Sequence, residues 1–312
     1  MDTLAVVLEE PQRLVLRRLD LTDPSDEDVL VEVDWTGVST GTERLLWTGA
    51  MPPFPGMGYP LVPGYEAAGK VQWAGENSGR KEGEWVFVPG SRGFKGAHGL
   101  FGAAARTLVA PGNRTIFLGG ASGQEGCLLA LAGTALHAID AGSFESPALV
   151  VGHGALGRLL ARILVARGEE PVVWEVNPIR MTGSQGYRVT RPEEDDGSRY
   201  RTIYDVSGDP GIMDQLIPHL EPRGEIVLAG FYSESVHFRF PPAFLKEARI
   251  RVAAEWKPED LKAVADLVSR GDLSLDGLVT HQEAATDAPN AYRTAFEDPR
   301  CVKMILDWRN VA

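Results

Sequence analysis

Gly152, Gly154 and Gly157 stand at the spacing G-x-G-x-x-G in "VVGHGALGRLLARI", behind the apolar stretch "ALVV" and ahead of an amphipathic one. Glycines spaced this way suit one kind of chemistry, the binding of a pyrophosphate. The first permits a tight turn, the second lets the backbone approach the phosphates, and the third lets a helix pack closely on a strand. Ala155 and Leu156 would open that helix, whose N-terminus offers N–H groups and a partial positive charge. Glu175 ends the next strand candidate, "PVVWEV", 18 residues beyond Gly157. A carboxylate there accepts both ribose hydroxyls and repels a 2′-phosphate, which predicts NAD rather than NADP. Arg180 follows five residues later and would soften that preference. His153 reads either as a contact to the phosphate edge of the cofactor or as a solvent-facing turn residue.

The elements that must position these residues alternate. After the helix-like "EGCLLALAGTALHAIDAG" comes strand, glycine turn, helix and strand, then the further strand candidates "YRTIYDVSG", "GEIVLAGF" and "ARIRVAAEW" and the helix "EDLKAVADLVSRG". Such alternation predicts an α/β, doubly wound parallel sheet over 119–271. Ser207 in "DVSG" and Gly230 in "LAGF" follow strands at its carboxyl edge, where the nicotinamide half of the cofactor should run. The acidic "RPEEDDGSR" reads as a solvated loop. Residues 1–118 differ, with short β-branched or alternating strands such as "TLAVVLEE", "DVLVEVDWTGVS" and "EWVFVPG" between Gly and Pro turns. They predict a compact barrel-like β domain, and the strand pieces of 272–312 read as a return to it.

The 312 residues allow two domains. A formal net charge of −12 repels nucleic acid and argues against a polybasic membrane anchor. No apolar run approaches the ~20 residues of a spanning helix. The start "MDTLAVVLEEPQ" lacks a basic signal-peptide region, so a cytoplasmic protein is expected. Cys127 and Cys301 stand apart in apolar surroundings and read as small buried hydrophobes.

Across nearly its full length the chain resembles the medium-chain dehydrogenase/reductase superfamily. The resemblance rests on "GVSTGTE", "PLVPGYEAAGKV", "EGEWVFV", "TALHAI", the glycine unit and "LVTHQ…DAPNAYRTA…KMILDW", all in the family's order. It implies a GroES-like substrate domain from the two ends of the chain and a Rossmann domain between them. In zinc-binding members a Cys, a His and a further acid or Cys stand where Ser39, Tyr65 and Ala130 align, which implies a metal-free site. The stretch "GVSTGTERLLWTGAMPPFPGMGYPLVPGYEAAGKV" is similar to zinc-independent members of bacteriochlorophyll biosynthesis. Those oxidise the 3-(1-hydroxyethyl) group of a bacteriochlorophyllide to 3-acetyl with NAD.

That resemblance sets the expected catalytic residues. Oxidation without zinc needs a positioned proton acceptor, and Tyr65 or Glu66 is the first candidate, with Ser39 and Thr42 bonding the oxygen or relaying its proton. Thr40, Glu43 and His137 are further candidates. Tyr65 reads equally as a filler of the vacated metal position, Glu66 as half of a structural ion pair, and His137 as a core histidine. A flat tetrapyrrole would need an aromatic mouth, for which Trp47, Met51, Phe54, Met57, Tyr59, Phe94 and Phe101 are candidates. His98 would offer an axial nitrogen to the pigment's magnesium, and Arg44 or Lys95 a partner for its propionate. The pigment would come from a membrane surface or a partner protein. Family members pair through the Rossmann sheet edge, which "GEIVLAGFYSE" would supply in a homodimer. Two other readings stand beside this one: a zinc-independent quinone or enone reductase, and a non-catalytic nucleotide-binding pigment carrier.

Overall fold

In a computed structural model of the chain, residues 1–53, 55–119, 123–142, 144–195, 197 and 199–311 are described. The chain divides into two units, one of residues 1–130 and 278–312 and one of 131–277.

In the first unit, β1 (Asp2–Glu10) and β2 (Arg13–Asp20) pair as an antiparallel hairpin. The long strand β3 (Asp28–Val38) buries alternate residues and then both faces at its end. Helix α1 (Thr42–Thr48) follows, then β4 (Ala67–Ala74), β5 (Trp85–Val88), β6 (Thr107–Pro111) and β7 (Ile116–Phe117). Strand β3 pairs antiparallel with both β4 and β6. A core of Val29, Val31, Val33, Val71, Val86 and Leu108 fills the inside.

The second unit takes up helix α2 (Leu129–Asp140) at Leu131 and then runs β8 (Ala148–Val151), α3 (Ala155–Ala166), β9 (Val172–Trp174), β10 (Arg188–Thr190), β11 (Tyr200–Asp205) and α4 (Met213–His219). It finishes with β12 (Leu220–Leu228), α5 (Phe240–Leu245), β13 (Arg249–Val252) and α6 (Pro258–Ser269). The six strands form one parallel sheet in the order β10-β9-β8-β11-β12-β13. Strand order reverses between β8 and β11, and ligands of such sheets bind outside the carboxyl ends at that switch point. Strand β8 is buried throughout, as a central parallel strand must be.

The last residues, β14 (His281–Ala284), α7 (Ala288–Glu297) and β15 (Met304–Asp307), belong to the first unit. Strand β15 pairs antiparallel with β3, and the Trp308 indole N–H donates to Thr36 Oγ1 at 2.9 Å.

Three local readings change. The units divide after Ala130 rather than at 118/119, because a 3₁₀ turn over Gln124–Leu128 packs on β3, β4 and β5. The small Gly126 allows this, since a Cβ there would crowd Leu118 and Ala68. The acidic loop is not wholly solvated: buried Asp195 accepts hydrogen bonds from the Trp174 indole at 2.7 Å and the Tyr200 hydroxyl at 2.6 Å. And "GEIVL" is the end of β12, which is paired on both sides, so the edges of the sheet among the described residues are β10 and β13. Among the described residues no helix is long and apolar enough to cross a membrane.

Candidate active site

The glycine unit lies at the switch point. Gly152 has φ +104°, a conformation that side chains rarely adopt, as β8 turns toward α3. A Cβ on Gly157 would overlap the Gly152 carbonyl oxygen, so only glycine lets α3 approach the strand. Nothing lies within 4 Å of a Cβ built on Gly154, which leaves open room where a pyrophosphate would approach. Ala155 and Leu156 form the first turn of α3, whose N-cap has no side-chain hydrogen bond. The Ser207 backbone packs beside Gly152, and Gly230 N–H donates to the Asp205 carbonyl at 3.0 Å beside Gly208. The glycine cradle, Ser207 and Gly230 thus meet at one end of β8, β11 and β12, an arrangement that fits a dinucleotide.

Glu175 directly follows β9, and its two oxygens accept the His153 N–H at 3.0 Å and the Asn177 N–H at 2.7 Å, tying the glycine loop to that strand. His153 is buried and not solvent-facing. Its ring bonds the Arg180 carbonyl at 2.6 Å and the Tyr187 hydroxyl at 2.8 Å, and burial pushes its pKa down to about 4. The ring is therefore neutral and braces the loop. Arg158 adds to this brace by donating to the His153 carbonyl at 3.1 Å. Tyr187 and Arg158 were not foreseen, because a turn histidine gives no sequence sign of its partners.

In the first unit the hydroxyl-bearing residues converge. Strand β3 ends just before Ser39, and Tyr65 precedes β4, its antiparallel neighbour. The Ser39 and Tyr65 hydroxyls lie 2.6 Å apart, and Thr42, at the start of α1, also hydrogen-bonds Tyr65. Burial pushes the Tyr65 phenol well above its ordinary range, so it stays protonated. Behind it Glu43 is fully buried and accepts the Ser39 N–H at 2.8 Å and the Tyr292 hydroxyl of α7 at 2.6 Å. Burial pushes the Glu43 carboxyl up to about 7.

Glu66 points the other way, into a fully buried ion pair with Lys303. The register explains the meeting. Met304 opposes Val38 and Ala67 opposes Thr36, so β3 brings the residues preceding Met304 and Ala67 together. Burial raises the Glu66 carboxyl and Lys303 pulls it back. This arrangement corrects the reading of Glu66 as proton acceptor. Its partner is a lysine far along the chain, which no local motif announces. His137 bonds Asp260 at 2.9 Å, the cap of α6, as a core histidine would.

The expected aromatic mouth is brought together only in part. Met57, Tyr59, Trp47 and Phe101 pack on a cluster of Leu8, Leu46, Met51, Leu61 and Leu100, and the Tyr59 hydroxyl donates to the Leu46 carbonyl. His98 is exposed, and its ring lies against Gly58. Phe101 meets the Tyr65 ring edge-on at 5.3 Å between centroids. Phe94 is a correction: it bridges to Leu21 and belongs to the barrel core, because its loop folds back on the hairpin. Phe54 lies outside the described residues.

Residues 25–120 match the family described as the alcohol dehydrogenase GroES-like domain. The chain is 52% identical over 312 residues, 99% of both chains, to the 2-desacetyl-2-hydroxyethyl bacteriochlorophyllide A dehydrogenase of Rhodobacter capsulatus. It is 53% identical over the whole of both chains to the protein of that name from Cereibacter sphaeroides. The chain belongs to the medium-chain dehydrogenase/reductase family. A solved medium-chain fold, 2R,3R-butanediol dehydrogenase from Bacillus subtilis, superposes with a TM-score of 0.85 at 20% identity, covering 98% of this chain and 99% of that one. As a medium-chain dehydrogenase the chain is an alcohol-dehydrogenase-type enzyme that uses a pyridine nucleotide. Among the described residues no three His, Cys, Asp or Glu side chains gather to hold a metal ion.

Proposed function

We propose that this enzyme oxidises the 3-(1-hydroxyethyl) group of a bacteriochlorophyllide to 3-acetyl in bacteriochlorophyll biosynthesis, in the cytoplasm, with NAD and without zinc. The observation that carries the reading is full-length identity above half to two relatives named for that substrate. NAD, when bound, accepts the hydride from the carbinol carbon. Glu175 supports NAD over NADP, since its carboxylate stands just after β9 and a 2′-phosphate beside it would be repelled.

The chain's own part is to hold and move the hydroxyl proton. Tyr65 keeps its proton, so it is not a phenolate base. It accepts the alcohol proton on the phenol oxygen as its own proton passes to the Thr42 hydroxyl, which in the same relay releases its proton to water. Thr42, half-buried, connects that oxygen toward water, and Ser39 holds the phenol in place. Two features support a metal-free site: the hydroxyls of Ser39 and Tyr65 occupy the family's ligand positions, and Glu66 is paired with Lys303. A conjugated macrocycle next to the carbinol spreads the positive character that develops as hydride leaves, which lessens the need for a Lewis acid.

The test is absorbance-monitored turnover of EDTA-treated protein with 3-(1-hydroxyethyl)bacteriochlorophyllide a and NAD or NADP. A red shift of the pigment band with NAD, undiminished by chelation, is expected. Loss of turnover on chelation would end the metal-free reading, and no turnover despite tight NAD binding would favour the carrier. Hydride delivery from NADPH to an enone would favour the reductase.

A further inference from the structure

The apolar cluster beside Tyr65 contains a residue whose backbone does not suit its side chain. Phe101 has φ +69°, the left-handed region that a residue with a bulky side chain rarely enters. The surroundings hold it there. A Cβ on Gly90 would overlap the Phe101 carbonyl oxygen, and one on Gly102, at φ +72°, would overlap the Ser91 carbonyl oxygen. The Ser91 N–H donates to the Gly102 carbonyl at 3.2 Å, and the Ala103 N–H to that of Gly64 at 2.8 Å. Glycine or asparagine would sit in this turn with less strain, so the turn alone does not call for phenylalanine. Strain of this kind persists where the surroundings over-determine it, and it clusters at functional sites.

The ring shows what the strain secures. One edge meets Tyr65 at an interplanar angle of 67°, and the side chain packs on the cluster of Leu46, Leu61 and Leu100. Phe101 is nonetheless only half-buried, whereas the Tyr65 it touches is buried. We propose that Phe101 is a specificity-determining residue whose ring takes the face of a planar conjugated substrate and sets its distance from the Tyr65 hydroxyl. This rests on the pigment reading above and adds to it the surface that selects a large flat alcohol.

The test compares wild type, Phe101→Gly, Phe101→Leu and Phe101→Tyr. Dissociation constants come from pigment absorbance and, for NAD, from tryptophan fluorescence, with thermal melting alongside. Phe101→Gly relieves the backbone and removes the ring. It should bind NAD unchanged and bind 3-(1-hydroxyethyl)bacteriochlorophyllide a about tenfold more weakly, while melting shows how far the relieved strain offsets the lost packing. Phe101→Leu keeps the strain and most of the bulk and should lose a similar factor, whereas Phe101→Tyr should restore binding. Pigment affinity within twofold of wild type in the glycine variant, or in the leucine variant if the glycine one does not fold, overturns the proposal. A wild-type enzyme that neither binds nor oxidises the pigment overturns the functional reading and this proposal together. Active wild type with unaffected variants overturns the role of Phe101 alone.

Discussion

Tyr65 is a protonated phenol held by two hydroxyls, so its contribution lies in the oxygen atom alone. Tyr65→Phe keeps the ring and its contact with Phe101, and should lower kcat by roughly 10²- to 10⁴-fold with little change in KM for NAD. Steady-state kinetics decides, and near-normal turnover would remove Tyr65 from the proton path. Lys303 is a different kind of residue, since it neutralises a buried carboxylate. Lys303→Met leaves the buried Glu66 without its cation, so the carboxyl must bind a proton or stay charged and unpaired, and should cost about 3–5 kcal/mol in urea unfolding. Changing Glu66→Leu in the same protein should recover most of that loss. Glu43 binds its proton more tightly folded than unfolded, because burial raises its pKa to about 7. Its share of stability is therefore greatest at low pH and falls as pH rises from the ordinary carboxyl range through neutrality, by roughly 3 kcal/mol at most. Tyr292, Ser39, Glu66 and Lys303 surround it, so the sign is read as a difference between wild type and Glu43→Gln. Unfolding at pH 5 and pH 8 should show the wild type losing more stability than the variant.

At the scale of elements, the glycine unit shows which parts of the site were legible in the sequence. The apolar strand, the glycine spacing and the amphipathic helix are local patterns, and they mark β8, the turn and α3 without tertiary information. Gly157→Ala should push α3 off β8, weakening NAD binding at least about tenfold and costing about 1–3 kcal/mol of stability. Fluorescence titration and thermal melting check this, and unchanged NAD affinity would contradict the packing role of the third glycine. The aromatic mouth was legible only as a composition of residues. Phe94 and Phe101 share one glycine-rich segment, yet one fills the barrel core and the other meets Tyr65, because the chain turns at Gly96 (φ +80°) between them and again at Phe101 itself. Nothing local encodes Glu66 meeting Lys303 or Glu43 meeting Tyr292. Those contacts depend on β15 and α7 returning to β3 and α1, which only a full-length resemblance could suggest.

At the scale of the whole molecule, one edge of the parallel sheet asks for a partner. Among the described residues β13 pairs only with β12, as β10 does only with β9 at the opposite edge, so the outer side of β13 presents backbone N–H and C=O groups that no strand pairs. Apolar side chains gather there: Val252 is 72% exposed, Phe240 66%, Phe244 65% and Leu245 80%. Phe240, Phe244, Leu245 and Ile250 also line a surface depression of about 500 Å³. A contiguous apolar area of this kind on a protein of net charge −12 is the usual mark of an interface. Two copies related by a twofold axis could pair β13 with β13 antiparallel, which would satisfy the edge backbone and continue the sheet through both subunits. If the homodimer expected from the resemblance forms through this end of the sheet, its interface lies on β13 and α5 rather than on "GEIVL", which is interior. Val252→Glu puts a charge on the exposed apolar end of β13, which would have to be desolvated in such a contact. Sedimentation should give a dimer for wild type and a monomer for the variant at micromolar concentration. NAD affinity should be unchanged, because the glycine cradle follows β8, three strands in from this edge. A wild-type monomer, or a Val252→Glu protein that stays dimeric, would place the interface elsewhere.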